Sequence, residues 1–141
     1  MRNRAVWIAF LVAVALYGIS FILPVMYPVF VLGRPISIYG WQAFLACMQP
    51  PFKSDLRLDD ITSFVAWLAN PVAWLGFGCW LAKKRKMAFC AGYVSLLLPT
   101  PFLVMLTWDG RSQDLPGPGC WVWLSSFAVL IVASRAAIVA E

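Results

Sequence analysis

Residues Ile61–Ala82 (ITSFVAWLANPVAWLGFGCWLA) run into Lys83-Lys84-Arg85-Lys86 and then into Met87–Trp108 (MAFCAGYVSLLLPTPFLVMLTW). Two uncharged runs of 22 residues are thus separated by four consecutive cations. At 1.5 Å per residue a helix of this length reaches about 33 Å, enough to cross the roughly 30 Å hydrocarbon core of a bilayer. Four cations do not enter hydrocarbon, and so short a turn returns the chain the way it came. The stretch therefore reads as an antiparallel transmembrane hairpin. Two further uncharged runs, Ala5–Met26 and Leu115–Ser134, flank it. The expected spans are approximately 5–26, 61–82, 87–108 and 115–138, in one integral membrane domain covering 1–141.

Composition agrees with this reading. The chain has 141 residues, 62% hydrophobic and 12% charged, with mean hydropathy +0.81, against roughly 45–50% apolar and 25% charged in soluble domains. No room is left for a soluble catalytic head or a nucleic-acid module, and the net charge of +5 is explained by placement. Arg2, Arg4, Lys83–Lys86 and Arg135 fall on one side of an alternating four-span map. Arg34, Lys53, Arg57 and Arg111 fall on the other, together with five of the six acids. The positive-inside rule then puts both termini and the tetrabasic turn in the cytoplasm. Ala5–Met26 exceeds the 7–15 residues of a signal-peptide core, so it is expected to stay as the first span.

The outer segment, 27–60, is too apolar for a linker. Val29–Leu32 and Ile36–Tyr39 read as strands of a small hairpin turning at Gly33-Arg34-Pro35. Trp41, Phe44, Leu45 and Met48 follow at i, i+3, i+4 and i+7, one face of a short amphipathic helix that Pro50-Pro51 ends. This face is the candidate interaction surface, expected to be buried against the bundle or against a partner. The fold class is accordingly an all-α membrane protein: a four-transmembrane-helix bundle with a small β-hairpin and a short amphipathic helix in the first outer loop.

The sequence contains no histidine, which removes the usual general base and the commonest metal ligand. No catalytic, cofactor-binding or metal-binding residue is assigned. Asp59-Asp60, ahead of Ile61, are expected to cap the second span, with Asp60 at the N-cap. Cys79 and Cys90 flank the basic turn as packing residues. Cys47 and Cys120 both fall on the outer side, where an oxidising compartment would let them form a disulfide. Trp108, Trp121 and Trp123 are expected at the outer interface.

Within the spans, Asn70-Pro71 and Pro99-Thr100-Pro101 interrupt the second and third helices at matching depth. Each proline deletes a helical hydrogen bond, freeing the carbonyls of Trp67, Ser95 and Leu97. Asn70, Pro71, Pro99, Thr100 and Pro101 form the candidate midplane polar site, read as structural kinks or as the lining of a pathway. Small residues four apart (Ala9/Ala13, Ala69/Ala73, Ala88/Gly92, Ala133/Ala137) supply close-packing faces.

Phe21-Ile-Leu-Pro-Val25, Gly40-Trp-Gln-Ala-Phe44, Trp67-Leu-Ala-Asn-Pro71, the basic turn and Gly117-Pro-Gly-Cys-Trp121 together resemble small, uncharacterised four-helix inner-membrane proteins of Gram-negative bacteria. The resemblance implies a bacterial plasma-membrane location and a four-helix architecture, and carries no activity and no functional residue with it. A looser architectural similarity links the β-bearing first loop to claudin-type proteins. The expected function is non-enzymatic and contact-based: an accessory subunit of a membrane complex, a self-associating unit or an immunity-type protein. Its expected partners are the lipid bilayer and a membrane protein or a second copy. The alternative is a small homo-oligomeric channel or transporter using the midplane site.

Overall fold

The computed structural model describes residues 2–31, 34–48, 58–108 and 116–140. In chain order the elements are α1 (Arg2–Ile22), β1 (Pro24–Val31), β2 (Arg34–Tyr39), α2 (Gly40–Cys47), α3 (Leu58–Trp67), α4 (Ala69–Leu81), α5 (Arg85–Leu97), α6 (Thr100–Trp108) and α7 (Pro118–Ala140). Four helical segments are long and apolar enough to span a membrane: Arg4–Ile22, Ile61–Leu81, Arg85–Val104 and Pro118–Ala140. The second joins α3 to α4 and the third joins α5 to α6, each across a proline-induced break.

The first span is shorter than the apolar run suggests. Pro24 drives Leu23 out of helical geometry, so α1 stops at Ile22 and the chain enters β1 at once. The hairpin is correspondingly longer than expected at both strands. Arg34 and Pro35 lie in β2, paired with Val31 and Phe30, and do not form the turn; Leu32 and Gly33 lie outside the described residues. Register shifts fall between Pro24 and Met26 and between Met26 and Val29. The second of these spans Pro28, which has no N–H to offer a ladder. The hairpin leads directly into α2, whose start is held by Gln42, its Oε1 accepting from the Tyr39 N–H at 3.0 Å. Pro50-Pro51 and the outer turn from Asp109 to Leu115 lie outside the described residues. Asp59 and Asp60 belong to the first turn of α3 and do not precede it, so the N-cap expected at Asp60 is displaced towards the N-terminus.

Helix packing follows the small-residue stripes. α1 packs chiefly on α7, α4 on α5, and α5 on α7. Ala13, Ala69, Ala73, Ala88 and Ala133 have no exposed surface and Ala137 almost none. A Cβ at Gly92 would meet Ile131 Cγ1 at 2.9 Å, so α5 and α7 touch nearly backbone to side chain there. One core cluster gathers Val6, Phe10, Trp80 and Leu130 with Ala13, Ala88, Ala133 and Ala137; a second gathers Tyr17, Ala69, Ala73 and Phe127. Trp80 stacks on Phe10 with centroids 3.9 Å apart, and the Arg85 guanidinium lies 3.9 Å from its ring centre.

The basic turn is tied rather than merely solvated. Arg85 donates to the Trp80 carbonyl as well as covering its ring. The Lys83 N–H donates to Trp80 O at 3.1 Å and the Lys84 N–H to Cys79 O at 2.8 Å, the paired bonds that close a helix through a left-handed residue. That residue is Lys83, at φ 61°, a conformation that glycine adopts freely and other residues do not. Lys83→Gly is therefore expected to raise unfolding stability by about 0.5–1 kcal/mol, measured by thermal unfolding in detergent. Lys83→Ala, which removes the charge but keeps the strain, should give no such gain.

Candidate functional site

A partly open cavity of about 140 Å³ lies under α2, with Ser20 and Phe21 of α1 and Val25 of β1 on one side. α2 contributes Gly40, Ala43, Phe44 and Cys47; α3 and the start of α4 contribute Ser63, Ala66, Trp67 and Asn70. Both sets follow i, i+3, i+4, i+7, the spacing of a single helix face. α6 and the break before it supply Pro99, Phe102 and Leu103, while Pro116, Cys120 and Trp123 line the side of α7. Phe44 anchors the lid, its ring 5.5 Å from Phe21, 5.8 Å from Trp67 and 5.9 Å from Trp74, centroid to centroid.

Gly40 and Gly117 let the lid sit this close. A Cβ on Gly40 would collide with Ser20 O and lie 2.8 Å from Phe21 Cα; one on Gly117 would lie 2.5 Å from Pro24 O. Backbone bonds fasten both places: Gly40 N–H to Leu23 O at 3.0 Å, and Gly117 N–H to Val25 O at 2.7 Å. The hairpin, α2 and the start of α7 therefore form one cap on the bundle.

A polar node lies at the floor of the cavity. Asn70 Oδ1 accepts from the Tyr17 hydroxyl at 2.8 Å and from Trp123 Nε1 at 3.0 Å. Tyr17 in turn accepts from Trp74 Nε1 at 2.8 Å. Asn70 Nδ2 donates to Trp67 O at 3.0 Å, the carbonyl that Pro71 leaves without its helical donor. The same device recurs in the third span, where Thr100 Oγ1 donates to Leu97 O at 2.6 Å, replacing the bond lost to Pro101. Each break thus carries a polar side chain that repairs it. Trp67 Nε1 and the Ser95 hydroxyl are buried without a hydrogen-bond partner among the described residues.

The predicted residues are divided by this geometry. Asn70 and Pro99 line the cavity; Pro71, Thr100 and Pro101 do not, and Thr100 is exposed. The midplane set is therefore not one site. The predicted face of the outer helix also splits: Phe44 turns inward, while Trp41, Leu45 and Met48 are 50%, 54% and 52% exposed. The inward template is Gly40, Ala43, Phe44 and Cys47, one residue out of step with the expected one, because close approach to α1 selects small residues over large ones. Cys47 and Cys120 are free thiols that line the same cavity, and burial raises the Cys47 thiol above its ordinary range.

One assignment made on residue type fails, and one residue of the node was missed. Trp123, expected at the interface, points into the bundle and bonds Asn70, whereas Trp121 remains 56% exposed. Tyr17 was not singled out. Its signal was a tyrosine in the middle of an apolar span, away from the interfacial level such residues favour.

No family model, curated protein or solved structure matches this chain. The site has to be read from its own chemistry. Its polar floor is tied up in internal bonds, its walls are mainly apolar, and the described residues hold no group of histidine, cysteine or acidic side chains arranged for a metal.

Proposed function

We propose that the chain is a multi-pass membrane protein that acts through contacts and not through catalysis, as an accessory subunit, a self-associating unit or an immunity-type protein. The observation that carries this reading is the outward side of α2. Trp41, Leu45 and Met48 stand half-exposed along i, i+4, i+7 on a helix whose other side is clamped to the bundle. A rigid apolar stripe rich in aromatic and methionine side chains is the composition of an interface core. The tetrabasic turn lies at the opposite end of the bundle, and by the positive-inside rule this supports an outer location for the stripe with both termini cytoplasmic, in what we read as a bacterial inner membrane.

The alternative, a homo-oligomeric channel or transporter, has weaker support. A pathway needs free polar groups, yet Asn70 already bonds Tyr17, Trp123 and Trp67 O, and Thr100 bonds Leu97 O.

Crosslinking in native membranes followed by purification tests the contact reading. The expected product is a crosslinked species, either a dimer or a complex with a second membrane protein, that Trp41→Ala with Leu45→Ala depletes about tenfold or more, as loss of two interface anchors would. The double variant should retain its thermal unfolding profile. Recovery of a strictly monomeric, solitary chain would overturn the proposal.

A further inference from the structure

The cavity under α2 is not used by the outward stripe, the polar node closes only its floor, and its dimensions suit an occupant. Its α3 wall runs from Ser63 to Asn70, which at 1.5 Å per residue is roughly 10 Å. The hydrocarbon of one leaflet is about 15 Å deep. With the proline breaks near the bilayer centre and the cap at the surface, the cavity occupies the depth at which the surrounding medium is lipid tail.

Its walls point the same way. Asn70 and Trp123 are bonded to each other, and the Ser20 hydroxyl donates to Tyr17 O at 2.6 Å, which leaves Trp67 Nε1 as a buried lining donor without a partner among the described residues. A bound water needs two to four polar partners, and apolar cavities near 150 Å³ stay dry but accept molecules the size of benzene. We propose that this cavity holds a segment of the acyl chain of a bilayer phospholipid, gripped between Phe44 on the cap and Ala66 and Phe102 on the spans. The lipid fills the space that the small inward residues of α2 leave, and so makes cap position sensitive to its presence. The proposal rests on membrane insertion of the four spans but is independent of any protein partner.

The test uses the full chain in nanodiscs of phosphatidylglycerol carrying a photoreactive diazirine within one acyl chain, with adducts located by mass spectrometry. Adducts are expected on cavity residues such as Phe44 and Phe102 as well as on Leu75 and Val132, which are 67% and 63% exposed on the spans. Ala66→Phe, which fills the cavity, should cut the cavity adducts about tenfold, since overfilled sites resist a further occupant, and should leave those on Leu75 and Val132 unchanged. Ala43→Leu does the same from the α2 side and serves if Ala66→Phe fails to fold. Labelling of Leu75 and Val132 without the cavity residues, or cavity labelling that neither substitution lowers, would overturn the proposal. A crosslink from the cavity to a second copy in place of lipid would also overturn it. Absence of adducts at Leu75 and Val132 would mark failure of insertion itself, the assumption shared with the contact reading.

Discussion

Asn70→Leu is expected to destabilise the bundle by about 2–4 kcal/mol, the sum of three hydrogen bonds between apolar helices at roughly 0.6–1.5 kcal/mol each. Leucine keeps the heavy-atom count and branching of asparagine, so the effect reads mainly the lost polarity, with some added bulk. It removes the acceptor of the Tyr17 hydroxyl and of Trp123 Nε1, and the donor that repairs Trp67 O. Three groups from α1, α3 and α7 then face an apolar side chain in place of their partner. Tyr17→Phe removes one of these bonds and releases Trp74 Nε1, and should cost about 1–2 kcal/mol. Because the two residues share a bond, the double variant should be less destabilised than the sum of the singles. Thermal unfolding in a mild detergent, followed by tryptophan fluorescence, measures all three. Additive losses, or an Asn70→Leu protein as stable as the parent, would mean that the node does not tie the helices together.

The bundle was legible because hydrocarbon imposes a simple rule: uncharged runs of the right length, cations at their ends, and alanine or glycine where helices meet. The proline breaks were read from sequence but their repair was not, although Asn70 and Thr100 each sit one residue before the proline whose missing bond they offset. The contents of the cavity wall were harder to read, for a physical reason. Hydrophobic periodicity reports which residues are large, whereas contact with another backbone selects residues that are small. Trp41, Leu45 and Met48 dominated the pattern of α2, and yet Gly40, Ala43 and Cys47 are what fit against α1 and α3. Tryptophan was ambiguous for a related reason. Its N–H is satisfied equally by an interface or by a buried acceptor, and Trp121 and Trp123 take the two options within one turn of helix. Residues far apart in sequence converge in three dimensions, since Phe21, Val25, Gly40, Phe44, Trp67, Asn70 and Cys120 all line one cavity.

Gly40 carries the closest contact in that convergence, and Gly40→Ala is expected to detach the cap. The new methyl group would run into Ser20 O, with Phe21 Cα at 2.8 Å and Ser20 C at 2.9 Å. All three are backbone atoms in the last turn of α1, so no rotamer change relieves them. α2 must therefore move off α1, losing the Gly40 N–H bond to Leu23 O and withdrawing Phe44 from its cluster of aromatic rings. Overpacking of this kind costs about 1–3 kcal/mol, here concentrated in the cap, so limited proteolysis of the 24–48 segment should accelerate well before the spans unfold. Gly18→Ala is the control. It lies on α1 with nothing within 4 Å of the added carbon, and by helix propensity it should stabilise the chain by up to about 1 kcal/mol. Opposite signs for the same chemical change, two residues before and twenty residues after Ser20, separate steric contact from propensity. If Gly40→Ala were as resistant to protease as the parent, α2 would not be seated on α1, and neither the rigid outward stripe nor the cavity beneath it would exist as described.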